Sequence, residues 1–120
     1  MRIFYRLLGR VAVPCSDLIE WSMWMGTANT QVAETKVGGL RVSTVFLGLD
    51  HNYSGTGDPI LFETMIFGDD ADSYQTRCST WDEAERMHAA AEVVAASWVA
   101  RAKAMVGPVF AEPPSSAPSD

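Results

Sequence analysis

Residues 40–67 read LRVSTVFLGLDHNYSGTGDPILFETMIF, and this stretch decides the fold. In Leu40 to Leu49, Val42, Thr44 and Phe46 share one parity, while Val45, Leu47 and Leu49 share the other. Successive side chains of a strand point to opposite faces. A run that is apolar on both parities therefore predicts a central strand, covered on two sides at its far end. Ile60 to Phe67 is a second such strand. Between them, Asp50 to Pro59 reads DHNYSGTGDP; with two glycines and almost no apolar mass, it is a loop.

Upstream, Gln31 to Val37 favours strand, and Gly38-Gly39 supplies a hairpin turn into Leu40. Ile3 to Leu8 and Arg10 to Val13 are shorter strand candidates, ended by Gly9 and Pro14. Ser16 reads as a helix N-cap, with Asp17 and Glu20 in the first turn. Leu18, Trp21 and Met25 share one face of this short helix, and Gly26 suits its C′ position. Downstream, Gly68 to Asp72 is an acidic turn and Tyr74 to Cys78 a last short strand. Thr80-Trp81-Asp82-Glu83 has the capping-box pattern that opens a helix. Ala84, Met87, Ala91, Val94, Trp98, Ala102 and Met105 keep steps of three and four, a stripe that needs an apolar surface beneath it. Gly107-Pro108 is the expected stop.

Strands first and a long helix after them predict an α+β fold. We expect an antiparallel sheet of four to six strands, with a short N-terminal helix and one long C-terminal helix packed on it. Residues 1–111 form one domain in this reading. Glu112 to Asp120, EPPSSAPSD, reads as a disordered tail rich in proline and serine.

The chain of 120 residues is 48% hydrophobic and carries a formal net charge of −6. That size and composition suit one self-sufficient core. The negative charge argues against direct nucleic-acid binding, which needs Lys and Arg against phosphate, and suits a basic protein surface. Arg6 and Arg10 interrupt the N-terminal apolar residues, so no secretory signal is read there. No apolar run approaches the length of a membrane span. The expected location is the cytoplasm of the producer or host. Cys15 and Cys78 are the two cysteines; neither has zinc-finger or C-x-x-C spacing, and both are read as free thiols.

Asp50, His51, Asn52 and Tyr53 begin the polar loop at a strand end, where a rigid scaffold often positions binding groups. Asp50 and Asn52 are equally good turn residues. Glu63 is a carboxylate within an apolar strand, costly to bury without a partner; Arg77 and Arg41 are the candidate partners. Tyr53 and Tyr74 are the candidate stacking groups, and Arg41 and Arg77 the candidate phosphate contacts. His88 lies at the edge of the helical stripe. His51, Glu63 and His88 include the residue types that bind zinc, but their spacing demands no metal, and no cofactor is expected. No P-loop, G-x-G-x-x-G, G-x-S-x-G or H-E-x-x-H occurs.

The blocks VSTVFLGLDHNYSGTGDPILFETMIFG, Val42 to Gly68, and YQTRCSTWDEAERMH, Tyr74 to His88, resemble a group of small proteins of tailed bacteriophages and prophages. Asp50, His51, Glu63, Thr64, Tyr74 and His88 match that group's pattern. The resemblance implies a phage-related origin and carries over no catalytic residue. The leading expectation is a non-enzymatic accessory protein that binds a host protein stoichiometrically, as an anti-CRISPR-like inhibitor of host defence does. The alternatives are a sponge for a nucleotide-type immune signal and a small His/Glu metal-dependent enzyme. A homo-oligomer is compatible with each.

Overall fold

The computed structural model describes residues 3–68 and 74–110, with side chains through residue 105. The elements are β1 (Tyr5–Leu8), β2 (Val11–Pro14), α1 (Leu18–Thr27), β3 (Gln31–Val37), β4 (Leu40–Phe46), β5 (Phe62–Phe67), β6 (Gln75–Cys78) and α2 (Trp81–Phe110). The expected acidic turn beyond Gly68 and the expected tail at 112–120 lie outside the described residues.

The fold is α+β. Strands β3-β4-β5-β6 form one antiparallel sheet in sequence order, and β1-β2 form a separate hairpin. The hairpin attaches just past the end of β4. Phe4 bridges Leu49, the Tyr5 amide donates to Gly48 O at 2.9 Å, and the Asp50 amide donates to Ile3 O at 2.9 Å. β4 stops at Phe46 instead of continuing to Leu49. Gly48, at φ +77°, turns the chain there, and a Cβ on it would stand 2.7 Å from Met25 Sδ. Only glycine combines that conformation with that approach.

The helix α2 covers one face of the four-stranded sheet. Thr35 of β3, Val42, Thr44 and Phe46 of β4, and Phe62, Thr64 and Ile66 of β5 lie on it. The core has two clusters. Phe46, Phe62, Leu61 and Tyr5 pack around Ala84; Val42 and Ile66 pack around Ala91 and Ala95. Alanine at these positions lets the helix backbone approach the sheet. The second face of the sheet carries Gln31, Glu34, Lys36, Arg41, Ser43, Val45, Glu63, Met65, Gln75 and Arg77 by register. Among the described residues no helix or strand packs over it. Cover on both sides is thus confined to the stretch past Phe46, where the hairpin attaches.

The capping box forms as expected. Thr80 Oγ1 accepts from the Glu83 amide at 3.2 Å, and Glu83 Oε1 accepts from the Thr80 and Ser79 amides at 3.0 and 3.1 Å. The other end departs from expectation. Ala102 and Met105 belong to the apolar stripe by spacing, yet both are exposed. Ala84 sits against Phe46 and Phe62, and Val99 reaches the β3-β4 turn, where its methyl carbons lie 3.0–3.2 Å from the Cβ position of Gly38. The helix therefore runs along β4 and uses up its length within that interval. A rise of about 1.5 Å per helical residue against about 3.4 Å per strand residue makes the two segments nearly equal. Beyond Val99 no sheet remains beneath the helix among the described residues. The backbone stays helical through Pro108 to Phe110, so the helix does not stop at Gly107-Pro108 as expected.

The cap of α1 is Asp17, not Ser16. Asp17 Oδ1 accepts from the Ile19 and Glu20 amides at 2.9 and 3.2 Å, and its charge complements the helix N-terminus as well as its geometry. Gly26 lies inside the helix; Ala28 is the C-cap. Trp21 donates its indole N–H to Tyr5 O and Gly48 O at 3.0 and 3.1 Å, and Trp24 meets Phe46 edge-on at 5.9 Å. Leu18, expected beside Trp21 on the inward face, faces solvent instead.

Candidate functional site

The loop 50–59 is organised by its own side chains. Asp50 Oδ1 accepts from the Asn52 amide at 2.8 Å and from the Ile60 amide at 2.9 Å, which ties the two loop ends together. Asn52 Nδ2 donates to Thr56 O and Asp58 O, both at 2.8 Å, and its Oδ1 accepts from the Ser54 amide at 3.1 Å. Both functional ends of the amide are thus engaged within the loop, the turn-building role these residue types favour. His51 Nδ1 donates to Leu49 O at 2.9 Å, which leaves Nε2 as the acceptor nitrogen. Tyr53 projects into solvent, its ring 6.0 Å from that of His51.

Glu63 faces away from α2. Its register partner across the sheet is Arg77, whose Nε donates to Glu63 Oε2 at 2.9 Å, and Gln75 donates to the same oxygen. Arg41, the other candidate partner, pairs with Glu34 at 3.2 Å and lies over the Phe67 ring at 4.4 Å. The two arginines considered for phosphate are therefore each held by a carboxylate. Tyr74 packs edge-on against Trp98 at 6.0 Å.

His88 is buried on the opposite face, under α2, and joins the helix to three strands. Nδ1 lies 2.7 Å from Thr44 Oγ1, and Thr44 Oγ1 is bonded to Thr64 Oγ1. Nε2 lies 2.9 Å from Thr35 Oγ1, which donates to Glu92 Oε2 at 2.6 Å. The donor directions follow from counting protons. Thr35 gives its proton to Glu92, so it accepts from Nε2–H of His88. With the imidazole neutral, Nδ1 accepts from Thr44, and Thr44 accepts from Thr64. One sense of donation runs from Thr64 through His88 to Glu92, and each group in it is satisfied.

The candidate residues thus divide among separate places. Asp50, His51, Asn52 and Tyr53 lie in the loop, Glu63 and Arg77 on the open sheet face, His88 beneath α2, and Tyr74 beside Trp98. Among the described residues no group of three or more His, Cys, Asp or Glu side chains is placed to hold a metal, and His51, Glu63 and His88 are not brought together.

The sequence reading missed two features. Thr35, Thr44, Thr64 and Glu92 complete the His88 network; the threonine positions share the α2-facing parity, but their partner comes from a distant helix. The second is the outer face of α1. Leu18, Ile19 and Met23 are 54%, 71% and 70% exposed, and Ile19 and Met23 stand one turn apart. Two carboxylates, Asp17 and Glu20, flank them. No protein-family model, curated protein or solved structure matches the chain.

Proposed function

We propose that the protein is a non-enzymatic accessory protein of phage or prophage origin that acts by stoichiometric binding to a host protein, and that its target belongs to host defence. The observation that carries the binding reading is the outer face of α1: Leu18, Ile19 and Met23 face water on a ten-residue helix that buries none of its residues fully. Large apolar side chains grouped in this way mark interaction surfaces. Asp17 and Glu20 beside them, and the net charge of −6, fit a partner whose apolar patch is rimmed by Lys and Arg. A basic groove of a nucleic-acid-guided effector has that chemistry. The phage and defence parts of the proposal rest on the resemblance of Val42 to Gly68 and Tyr74 to His88.

Phage plating on hosts carrying a panel of defence systems, with and without the expressed protein, tests the proposal. Rescue of plating against one system is expected. Ile19→Glu and Met23→Glu should abolish rescue while the circular-dichroism melt stays near that of the parent. Unchanged plating across the panel removes the defence assignment. Rescue retained by both variants removes α1 as the binding face.

A further inference from the structure

The four-stranded sheet ends in two edges, β3 and β6. Among the described residues no strand pairs with the outer side of either. β6 has four residues and β3 has seven. From Ala33 to Val37, β3 keeps its register with β4 without irregularity, and it contains neither proline nor glycine. A regular, unpaired edge of this kind is a template for another strand.

Which groups of that edge are free follows from the turn. Gly38-Gly39 is a two-residue connection, so Val37 and Leu40 form the bonded pair that closes the hairpin. Bonded and non-bonded pairs alternate along an antiparallel ladder, which makes Thr35–Val42 and Ala33–Thr44 bonded pairs as well. The Phe46 amide, the next in that phase, donates to Thr30 O at 2.8 Å. Glu34 and Lys36 therefore direct their amides and carbonyls outward, away from β4. Their side chains lie on the open face of the sheet and are exposed. Glu34 meets Arg41 at 3.2 Å, and Lys36 makes no ion pair among the described residues.

We propose that the β3 edge pairs with the β3 edge of a second copy of this chain, antiparallel about a two-fold axis at Thr35, so that the two sheets become one. An antiparallel partner must set outward-directed groups opposite outward-directed groups. Centred on Glu34, such a register puts Glu34 against its own copy; centred on Lys36, it puts Lys36 against its own copy. Like charges directly opposite are destabilising. Centred on Thr35, it puts Glu34 opposite Lys36 of the second copy, and the symmetry makes that pair twice. Thr35 then faces its own copy and Ala33 faces Val37 on the other side of the sheet, with no charge among them. A lysine commonly guards an edge against pairing; two residues from a glutamate, it becomes self-complementary.

The helices leave room for this arrangement. α2 lies along β4, one strand back from the seam, so its two copies stand about three strand spacings, roughly 14 Å, apart. A helix with its side chains is about 10–12 Å across. Glu92, held by Thr35, is a charge on that side of the seam; its side chain is 39% exposed, so water screens it from its copy. The edge is separate from the α1 face invoked above.

Sedimentation equilibrium of the full chain tests the proposal. A dimer is expected, with a Kd below about 100 μM. Glu34→Lys and Lys36→Glu each set like charges across the seam and should weaken association about tenfold or more. The double variant E34K/K36E restores opposite charges with their signs exchanged and should recover it. Both positions are exposed, so all three variants should fold, and circular-dichroism melts check that they do. The mass of a single chain at every concentration up to about 1 mM would overturn the dimer. A dimer indifferent to both single exchanges, or one weakened by them and not restored by the double exchange, would overturn the β3 pairing centred on Thr35.

Discussion

Thr44 and His88 are hydrogen-bonded at 2.7 Å, and through that contact the long helix is fastened to the middle of a sheet 44 residues away in sequence. Thr44→Val keeps the shape of the side chain but removes the donor to Nδ1 and the acceptor for Thr64. We expect a loss of about 1–3 kcal/mol, the cost of leaving buried polar groups unsatisfied. Urea unfolding measures it. Adding Thr64→Val should cost less than the sum of the single changes, because the second substitution removes a hydroxyl the first has orphaned.

The Glu63–Arg77 pair should contribute little. Arg77 is 37% exposed at its side chain and Glu63 13%, so water screens the interaction from the arginine side. Glu63→Gln is expected to cost no more than about 1 kcal/mol. A loss of about 3–5 kcal/mol, typical of breaking a fully buried pair, would show that the open sheet face is covered in solution.

Ala91 has no exposed surface and lies against Val42 and Ile66. Ala91→Leu adds three carbons where the helix backbone meets the sheet. The expected cost is about 1–3 kcal/mol from overpacking, read as a lower midpoint in urea at unchanged slope.

Glu83 provides the pH dependence. The Ser79 backbone amide and the Thr80 hydroxyl hold its carboxyl below its ordinary 4.5. A carboxylate depressed in the folded state contributes stability that is present above that value and lost as pH falls through the folded pKa. Glu83→Gln should therefore be less stable than the parent at pH 7, and the difference should close on acidification below pH 4.5. Thermal melts across that range check the sign.

Burial, reinforced by the charge of Glu83, pushes the Cys78 thiol up to about 11. Little thiolate exists at neutral pH, so iodoacetamide should label Cys78 slowly there and faster as pH rises toward 11. Glu83→Gln removes one of the two causes and should speed labelling at a fixed pH. Mass spectrometry of the labelled peptide separates Cys78 from Cys15.

What the sequence made legible was local. The Gly38-Gly39 turn, the Thr80–Glu83 cap and the polar loop after Asp50 each depend on neighbours in the chain. The two-sided apolarity of LRVSTVFLGL was misleading in part, because Leu47 and Leu49 lie past the strand end, where Leu47 bonds to Leu61 through its backbone and Leu49 bridges Phe4 beside the hairpin. The end of the helical stripe was overextended, because periodicity measures the helix and says nothing of the length of the sheet beneath it. Glu63 was legible as a residue in need of a partner, and cross-strand register made that partner Arg77. The His88 network was not legible, since three threonines on three strands gain meaning only once the helix is laid across them.

The mismatch between α2 and its sheet makes the domain divisible. Arg101 and Lys103 are exposed on helix with no strand beneath it among the described residues, and every residue of the two core clusters precedes them. A tryptic cut at either residue would shorten the molecule without opening its interior. From Arg101 to Met105 the helix is thus an extension whose side chains are exposed and take no part in either core cluster.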